Sequence, residues 1–117
     1  MEFTVKFIHL FLFGLELAAP ILLFLLSTIV LLGQVVGMRE RWGWFNALYW
    51  ALITATTVGY GDIHPERRLS KILAVFTAFI GIIFTGILIA LALNAASIVF
   101  KSIYDLDEIK TSIEKVL

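Results

Sequence analysis

The stretch Thr54-Ala-Thr-Thr-Val-Gly-Tyr-Gly-Asp62 decides the fold, because it interrupts two long apolar runs with glycines, hydroxyls and a carboxylate. The chain has 117 residues, of which 61% are hydrophobic and 15% charged, and its mean hydropathy is +0.99. Soluble domains carry about 25% charged residues. The composition therefore indicates one small membrane domain, whose surface is covered largely by lipid or by further copies of the chain.

Composition also excludes several kinds of site. The chain has no cysteine, so it offers no disulfide, no cysteine-ligated zinc and no redox thiol. Its net charge is zero, which predicts no nucleic-acid partner. Neither His9 nor His64 has a plausible catalytic partner nearby in the sequence, so we expect no enzyme. The start of the chain also lacks the pattern of a cleaved signal peptide.

Two runs are long enough to cross a membrane. Residues 17–36 contain no charged side chain and span about 30 Å as a helix, which is the thickness of one hydrocarbon core. Pro20 is expected in the first turn of this outer helix, where a missing N–H is tolerated. Residues 72–100 form the second, inner span, which is long enough to cross while tilted.

The two ends of the chain are amphipathic. Residues 1–16 carry one charged stripe and are read as an interfacial helix or as an inward extension of the outer helix. Residues 101–117 are predicted to be a water-facing tail. Its residues Leu106, Ile109, Ile113 and Val116, together with Val99 just before the tail, approximate an a/d pattern. This pattern indicates a short helical bundle, although a linker to a further domain would have the same composition.

Residues 37–71 join the two spans through a polar turret and an aromatic cluster. The aromatic residues, which favour the membrane–water boundary, are Trp42, Trp44, Phe45, Tyr49 and Trp50. Residues 44–56 contain no Gly or Pro and predict a helix of about 20 Å, which is too short to cross. We therefore expect this helix to enter from one face and the chain to return through residues 57–62, called here the filter loop.

Irregular backbone at membrane depth is tolerated only where protein buries it or where it lines a watery path. Gly59 and Gly61 can take positive φ without steric cost, and they flank Tyr60. Alternation of backbone hand would aim successive carbonyl oxygens to one side, about 3 Å apart. Such a file of oxygens, with the Thr57 hydroxyl below it, can replace the hydration shell of a cation. One chain supplies too few oxygens to enclose an ion, so several copies must surround an axis.

The motif T-x-T-T-V-G-Y-G-D, together with the order of helices around it, resembles potassium channels, in which four TVGYG loops form the selectivity filter. The chain looks similar to the minimal prokaryotic pore with two transmembrane helices. The resemblance implies an all-α membrane protein of outer helix, re-entrant pore helix with filter loop, and inner helix, assembled as a fourfold homotetramer. It implies passive conduction of K⁺, bound at Thr57, Val58, Gly59 and Tyr60.

The resemblance also implies a multi-pass protein of the cell membrane, surrounded by lipid, with both termini cytoplasmic. Charge counting alone favours the opposite orientation, because the loop between the spans carries five basic residues. No arginine-repeat helix is present, so voltage sensing of that kind is not expected. The gating stimulus stays open: protons, membrane tension, the filter itself, or a regulatory domain or subunit outside this chain.

Residues expected to support the filter loop are Trp50, Ile53, Thr56, Gly61 and Asp62. In the proton-gated bacterial relatives a glutamate stands where this chain has Ile53, so Asp62 lacks a carboxyl partner. Trp50 is expected to donate its indole N–H to Asp62 and to influence inactivation, or else only to pack behind the filter. His64 lies at the expected outer mouth, as a pH-sensitive group or as an ordinary loop residue.

The inner helix holds the expected gate and cavity. Gly81 is either a hinge or a site of close packing with Thr77 and Thr85, and Gly86 is a second flexible position. The candidate cavity wall consists of Ile82, Thr85 and Ile89, and the candidate constriction consists of Leu93 and Ser97. The same stripe would also suit contact with neighbouring helices.

Two other functions fit the composition. A cation channel of weak selectivity would share the fold, but the complete TVGYG row argues against it. A non-conducting membrane scaffold would share the spans but has no use for an intact filter motif.

Overall fold

The computed structural model describes residues 2–117 and contains three α-helices within them. These are α1 (Glu2–Glu40), α2 (Trp44–Ala55) and α3 (Arg68–Val116). By length and composition, α1 and α3 are each able to cross a membrane. The expectation of an all-helical chain with two apolar spans and a shorter helix between them is confirmed at this level.

Both long helices extend beyond the predicted spans. Residues 2–16 continue into the outer span without a break, while Met1 lies outside the described residues. The prediction for Pro20 was wrong, because α1 begins at Glu2 and Pro20 therefore lies in its interior. A proline there removes one backbone donor, a loss that transmembrane helices tolerate better than soluble ones.

The chain divides into two compact units, and the unit formed by Ala19–Ile87 contains α2 and the filter loop. Its core consists of Ile29, Val36, Trp50, Ala51 and Ala55. Glycines on α1 let α2 approach closely: a Cβ atom added at Gly33 would lie 2.5 Å from the Cβ of Ala51. At Gly37 it would come 2.4 Å from the Cβ of Ala47. Small residues at such contacts are typical of membrane helices.

The second unit comprises the first residues of the chain, as far as Ala18, and Leu88–Leu117. Phe3 packs on Phe100 with ring centroids 4.9 Å apart, and a Cβ added at Gly14 would lie 3.1 Å from Leu91. Ala95 and Val99 are buried in this unit. From residue 104 onward every residue is exposed, because α3 continues past the start of α1.

Candidate functional site

The filter loop is fastened to the last turn of α2 by backbone hydrogen bonds. The amide of Thr57 donates to the carbonyl of Thr54 at 3.1 Å, and the amide of Gly59 donates to that of Ile53 at 3.1 Å. The amide and hydroxyl of Thr56 both donate to Leu52, at 3.0 and 2.7 Å. The loop therefore turns back along α2 and satisfies carbonyls that a helix end ordinarily leaves unpaired.

The sign of the backbone angle φ alternates from residue to residue along the loop. Positive φ occurs at Thr57 (68°), Gly59 (53°) and Gly61 (83°), while Val58 and Tyr60, between them, are outside this region. The two glycines were predicted to adopt positive φ, and this is confirmed. Positive φ at Thr57 was not predicted, because it is unfavourable for a β-branched residue and costs about 1–3 kcal/mol.

The direction of each loop amide determines the direction of the carbonyl in the same peptide unit. The described chain contains no cis peptide bond, so each planar trans unit holds its C=O and N–H on opposite sides. Since the amide of Gly59 points at Ile53 of α2, the carbonyl of Val58 points away from α2. The carbonyl of Thr56 points away from α2 for the same reason, because the amide of Thr57 is held by Thr54.

The side of the loop that faces away from α2 has no cover within this chain. Residues 57–62 are all exposed, and Tyr60 retains 70% of its accessible surface. A Cβ added at Gly59 or Gly61 would meet no atom within 4 Å. The loop thus offers main-chain oxygens toward space that its own chain does not fill.

Asp62, at the C-terminal end of the loop, accepts a hydrogen bond of 3.0 Å from the hydroxyl of Tyr49. We expected Trp50 to be this donor, and the structure differs. Trp50 is only 5% exposed and packs on Trp42, with ring centroids 5.4 Å apart. Successive helical residues point about 100° apart, so Tyr49 faces the loop when Trp50 faces the core. A donor at either position satisfies the sequence pattern, and only the helix register distinguishes them.

A cavity of about 190 Å³ lies between α2 and the loop. Its walls include Tyr49, Trp50, Ile53, Asp62 and His64. The structure therefore brings together four of the five residues predicted to support the filter, Trp50, Ile53, Gly61 and Asp62, and it places His64 beside them. The side chain of Ile53 has no polar atom, so the carboxylate of Asp62 takes its side-chain hydrogen bond from Tyr49.

The remaining predicted support residue, Thr56, holds the end of α2. Its hydroxyl donates to Leu52, and a longer contact of 3.4 Å joins it to the carbonyl of Ile53. The last carbonyls of α2 carry about half a negative charge through the helix dipole. Thr56 thus uses its hydroxyl to hold the last turn of α2.

The inner helix is tied to the end of α2 at two places. A Cβ added at Gly81 would lie 2.4 Å from the Cα and 2.6 Å from the carbonyl oxygen of Ala55. One turn later, the hydroxyl of Thr85 donates to that same carbonyl at 2.9 Å. Close packing, one of the two alternatives for Gly81, accounts for this glycine. Thr85, predicted on the cavity wall, uses its hydroxyl for this contact.

The other predicted residues of α3 make fewer contacts. A Cβ added at Gly86 would have no neighbour within 4 Å, so packing does not account for that glycine. The candidate cavity and constriction residues are exposed in the single chain; they are Ile82, Ile89, Leu93 and Ser97. Their exposed positions are compatible either with a cavity or with contact to further copies.

A contact that the sequence did not predict joins the ends of the two long helices. The carboxylate of Glu40 accepts hydrogen bonds from the amides of Glu66 and Arg67, at 2.5 and 2.9 Å. The hydrogen bond from Arg67 is the main reason that the pKa of Glu40 lies below its usual value. Desolvation, the second-largest effect, raises this pKa, while the amide of Glu66 and the charges of Arg67 and His64 lower it further. Twenty-six residues separate Glu40 from Glu66, and no local pattern relates them.

The known proteins that this chain resembles in sequence are channels. A family model described as "Ion channel" matches residues 11–97. A voltage-gated potassium channel of Aeropyrum pernix is 42% identical over 50 residues, which are 43% of this chain and 17% of that protein. Potassium channel protein 1 of Methanocaldococcus jannaschii is 37% identical over 62 residues, 53% of this chain and 17% of that protein. No solved structure matches significantly.

A plant relative shows the same pattern of partial coverage. Two-pore potassium channel 1 of Arabidopsis thaliana is 42% identical over 59 residues, which are 50% of this chain and 16% of that protein. The chain thus corresponds to less than a fifth of the length of each of these relatives. The similarity to potassium channels confirms the resemblance seen in the sequence, and a channel family confirms that the chain is not an enzyme. Because the family model covers most of the chain, from the outer helix through the filter loop to the inner helix, the chain belongs to the ion channel family.

Proposed function

We propose that four copies of this chain form a passive, potassium-selective channel. The observation that carries the proposal is the alternating backbone hand at Thr57, Gly59 and Gly61, combined with amides of the loop held by α2. This arrangement directs main-chain oxygens toward the side of the loop that faces away from α2. Oxygens replace the hydration of a cation and offer no donor to an anion.

The proposed ion sites are layers of oxygens from identical loops. Carbonyls of Tyr60, Gly59, Val58 and Thr57 would form successive layers, and the hydroxyl of Thr57 would complete the innermost one. One chain contributes one oxygen to each layer, so a single copy cannot enclose an ion. Four copies around an axis supply four oxygens per layer and also cover the exposed side of the loop.

Strain at Thr57 is consistent with such a role. Unfavourable backbone conformations persist where the surrounding structure holds them and where function uses them. Here the amide of Thr57 is held by Thr54, and the next turn of the loop is held by Ile53. These bonds would keep the oxygens in place before an ion arrives, so that little reorganisation accompanies its binding.

The proposed placement in the cell membrane is the one that the resemblance to potassium channels implies. Residues 17–36 and 72–100 cross the bilayer, residues 44–56 enter from the outer face, and the filter loop returns to it. The termini then lie on the cytoplasmic side. Counting basic residues alone would favour the opposite orientation.

The proposed gate lies on α3 beyond the contacts with Ala55. Gly81 and Thr85 hold the first part of this helix, so a bend would occur after them, and Gly86 is the position with room for it. A glycine in a helix interior lowers the cost of bending by about 1 kcal/mol relative to alanine. Leu93 and Ser97 lie farther along and would form the constriction.

Potassium flux from liposomes containing the purified chain tests this function. Gly59→Ala should reduce flux at least about tenfold, because a Cβ at positive φ distorts the loop. Gly43→Ala is a matched control: Gly43 also has positive φ and open space around it, but it lies at the start of α2. Equal flux from Gly59→Ala and the unchanged chain would reject the proposed filter. An absence of flux from the unchanged chain would favour a scaffold.

A further inference from the structure

The start of α2 is linked to α1 by one side chain. The amide nitrogen Nε2 of Gln34 donates to the carbonyl oxygen of Trp44, in the first turn of α2, at 3.1 Å. Residues 17–36 of α1 contain no charged side chain, and Gln34 is one of the few polar residues among them. Thr28, another of these, donates to the carbonyl of Phe24 in its own helix at 2.9 Å. Gln34 therefore differs from Thr28 in linking two helices.

Within the part of the chain that the structure describes, no other side chain of α1 or α3 forms a hydrogen bond with the first turn of α2. Gly43, at the N-cap position, supplies no side chain, and the first turn holds no acidic residue. Asn46 donates to the carbonyl of Trp42, which lies just before the helix, so that bond stays within one segment. The first turn of α2 thus depends on Gln34 for its side-chain connection to a neighbouring helix.

The hydrogen bond from Gln34 is a specific restraint between the two helices. A carbonyl oxygen has two lone pairs, so Trp44 keeps the acceptor role of a helical carbonyl while it bonds Gln34. Membrane helices are held to one another by close packing of small residues and by hydrogen bonds of polar side chains. Both are present here, since Gly33 and Gly37 flank Gln34 and pack against α2. Packing keeps the two helices in contact, and the hydrogen bond fixes the position of α2 along α1.

The other end of α2 is held by the inner helix. The hydroxyl of Thr85 donates to the carbonyl of Ala55, the last residue of α2, at 2.9 Å. The helix between the two bonds has 12 residues and is about 18 Å long. A rod that is held near both ends by different neighbours cannot pivot, so the two bonds together fix the tilt of α2. Tyr49 and Ile53, which hold the filter loop, lie between these two ends.

We propose that Gln34 is a positioning residue for potassium conduction. It acts through α2, because its bond to Trp44 sets the tilt of α2 and α2 carries the groups that hold the filter loop. This inference rests on the proposed potassium channel and adds a residue of α1, outside the filter loop and the inner helix, on which the conducting state depends. Loss of the bond should favour a non-conducting state of the filter loop without changing which ion the conducting loop selects.

Gln34→Met tests the bond, because methionine keeps the length of the side chain but has no N–H donor. Recordings in planar bilayers should show a shift of about fivefold from the conducting toward the non-conducting state, which is the effect expected for one hydrogen bond. The reversal potential should stay that of the unchanged chain.

Thr28→Val is the matched control for Gln34→Met. It removes a polar group of α1 that bonds only within α1, and it should leave the same equilibrium within about twofold. An equal shift in the two variants, or no shift in Gln34→Met, overturns the proposal.

A double variant tests whether the effect passes through α2. Release of one end of α2 leaves the other end as a pivot, whereas release of both ends frees the whole helix. The combined effect of Gln34→Met and Thr85→Val on the conducting state should therefore exceed the product of the two single effects. A combined effect equal to that product would mean that the two residues act independently, which contradicts a common action on the tilt of α2.

Hydrogen–deuterium exchange of the full chain separates this proposal from the proposed function, because the measurement needs no ion flow. Amides in peptides that cover residues 44–55 should exchange about fivefold faster in Gln34→Met than in the unchanged chain, since loss of the bond raises the fraction of opened α2. Peptides from residues 104–117 should be unaffected.

The two failures then have different signatures. Faster exchange in α2 of a chain that conducts no potassium confirms that Gln34 places α2 but rejects the channel. Unchanged exchange in α2, together with normal potassium flux, keeps the channel and rejects the positioning role of Gln34.

Discussion

The hydroxyl of Thr85 on the inner helix donates a hydrogen bond of 2.9 Å to the carbonyl of Ala55, in the last turn of the helix that precedes the filter loop. The neighbouring carbonyls of that turn are used by the loop itself, through Thr57 and Gly59. One end of α2 is therefore shared between the loop and the inner helix. Motion of α3 at Thr85 would act directly on the support of the filter loop.

Removal of the Thr85 hydroxyl should destabilise the protein. Thr85→Val keeps the shape but leaves the carbonyl of Ala55 without this partner, at a cost of about 1–3 kcal/mol. Thr85→Ser keeps the hydroxyl and is the matched control. The midpoint of thermal dissociation of the purified protein measures the difference, and equal midpoints for Val and Ser would show that the bond contributes nothing.

The two glycines of α3 should respond differently to alanine. Gly81→Ala places a methyl group against the backbone of Ala55 and should cost about 1–3 kcal/mol through overpacking. Gly86→Ala meets no atom within 4 Å and should preserve or slightly raise stability, while stiffening the proposed hinge. The temperature of thermal dissociation measures the overpacking by Gly81→Ala. Single-channel open probability measures the stiffening by Gly86→Ala. A Gly81→Ala protein as stable as Gly86→Ala would contradict the close packing.

Tyr49→Phe should change filter behaviour more than Trp50→Phe does. The first variant removes the hydrogen bond to Asp62, worth about 1 kcal/mol, or about fivefold in an equilibrium between conducting and non-conducting states. The second retains that bond and replaces one buried ring by another. Recordings of inactivation and open-state lifetime measure the effect of each variant. An effect confined to Trp50→Phe would restore the expectation drawn from the sequence.

Acid should weaken the link between the helix ends. The pKa of Glu40 is lowered from 4.5 in the folded chain, so the ionised carboxylate stabilises the fold above pH 4.5. That contribution is lost as the pH falls through the lower, folded pKa. Glu40→Gln cannot titrate, and the difference in dissociation temperature between the two proteins should shrink from pH 7 toward pH 3. A constant difference would show that Glu40 does not contribute to the acid response.

The sequence predicted those features that depend on local chemistry. Gly59 and Gly61 predicted positive φ in the loop, and the two apolar runs predicted the two long helices. The positive φ of Thr57 was not predicted, because hydrogen bonds to α2 impose it against the preference of a β-branched residue. The sequence did not identify Tyr49 as the donor to Asp62. A shift of one residue in helix register decides whether Tyr49 or Trp50 faces the loop.

Long-range contacts were beyond prediction for a different reason. Glu40 and Glu66 stand 26 residues apart, and Thr85 and Ala55 stand 30 apart. A carboxylate in a charged turret and a threonine in an apolar helix have many possible partners. Only the packing of α2 between the two long helices selects one partner for each.

The most direct test is the reversal potential of the purified chain in a planar bilayer, with a tenfold potassium gradient and sodium as the balancing cation. If loop oxygens replace the hydration of potassium, current should reverse near the potassium equilibrium potential, about 59 mV in magnitude. Reversal close to zero, with sodium carrying as much current as potassium, would contradict the account.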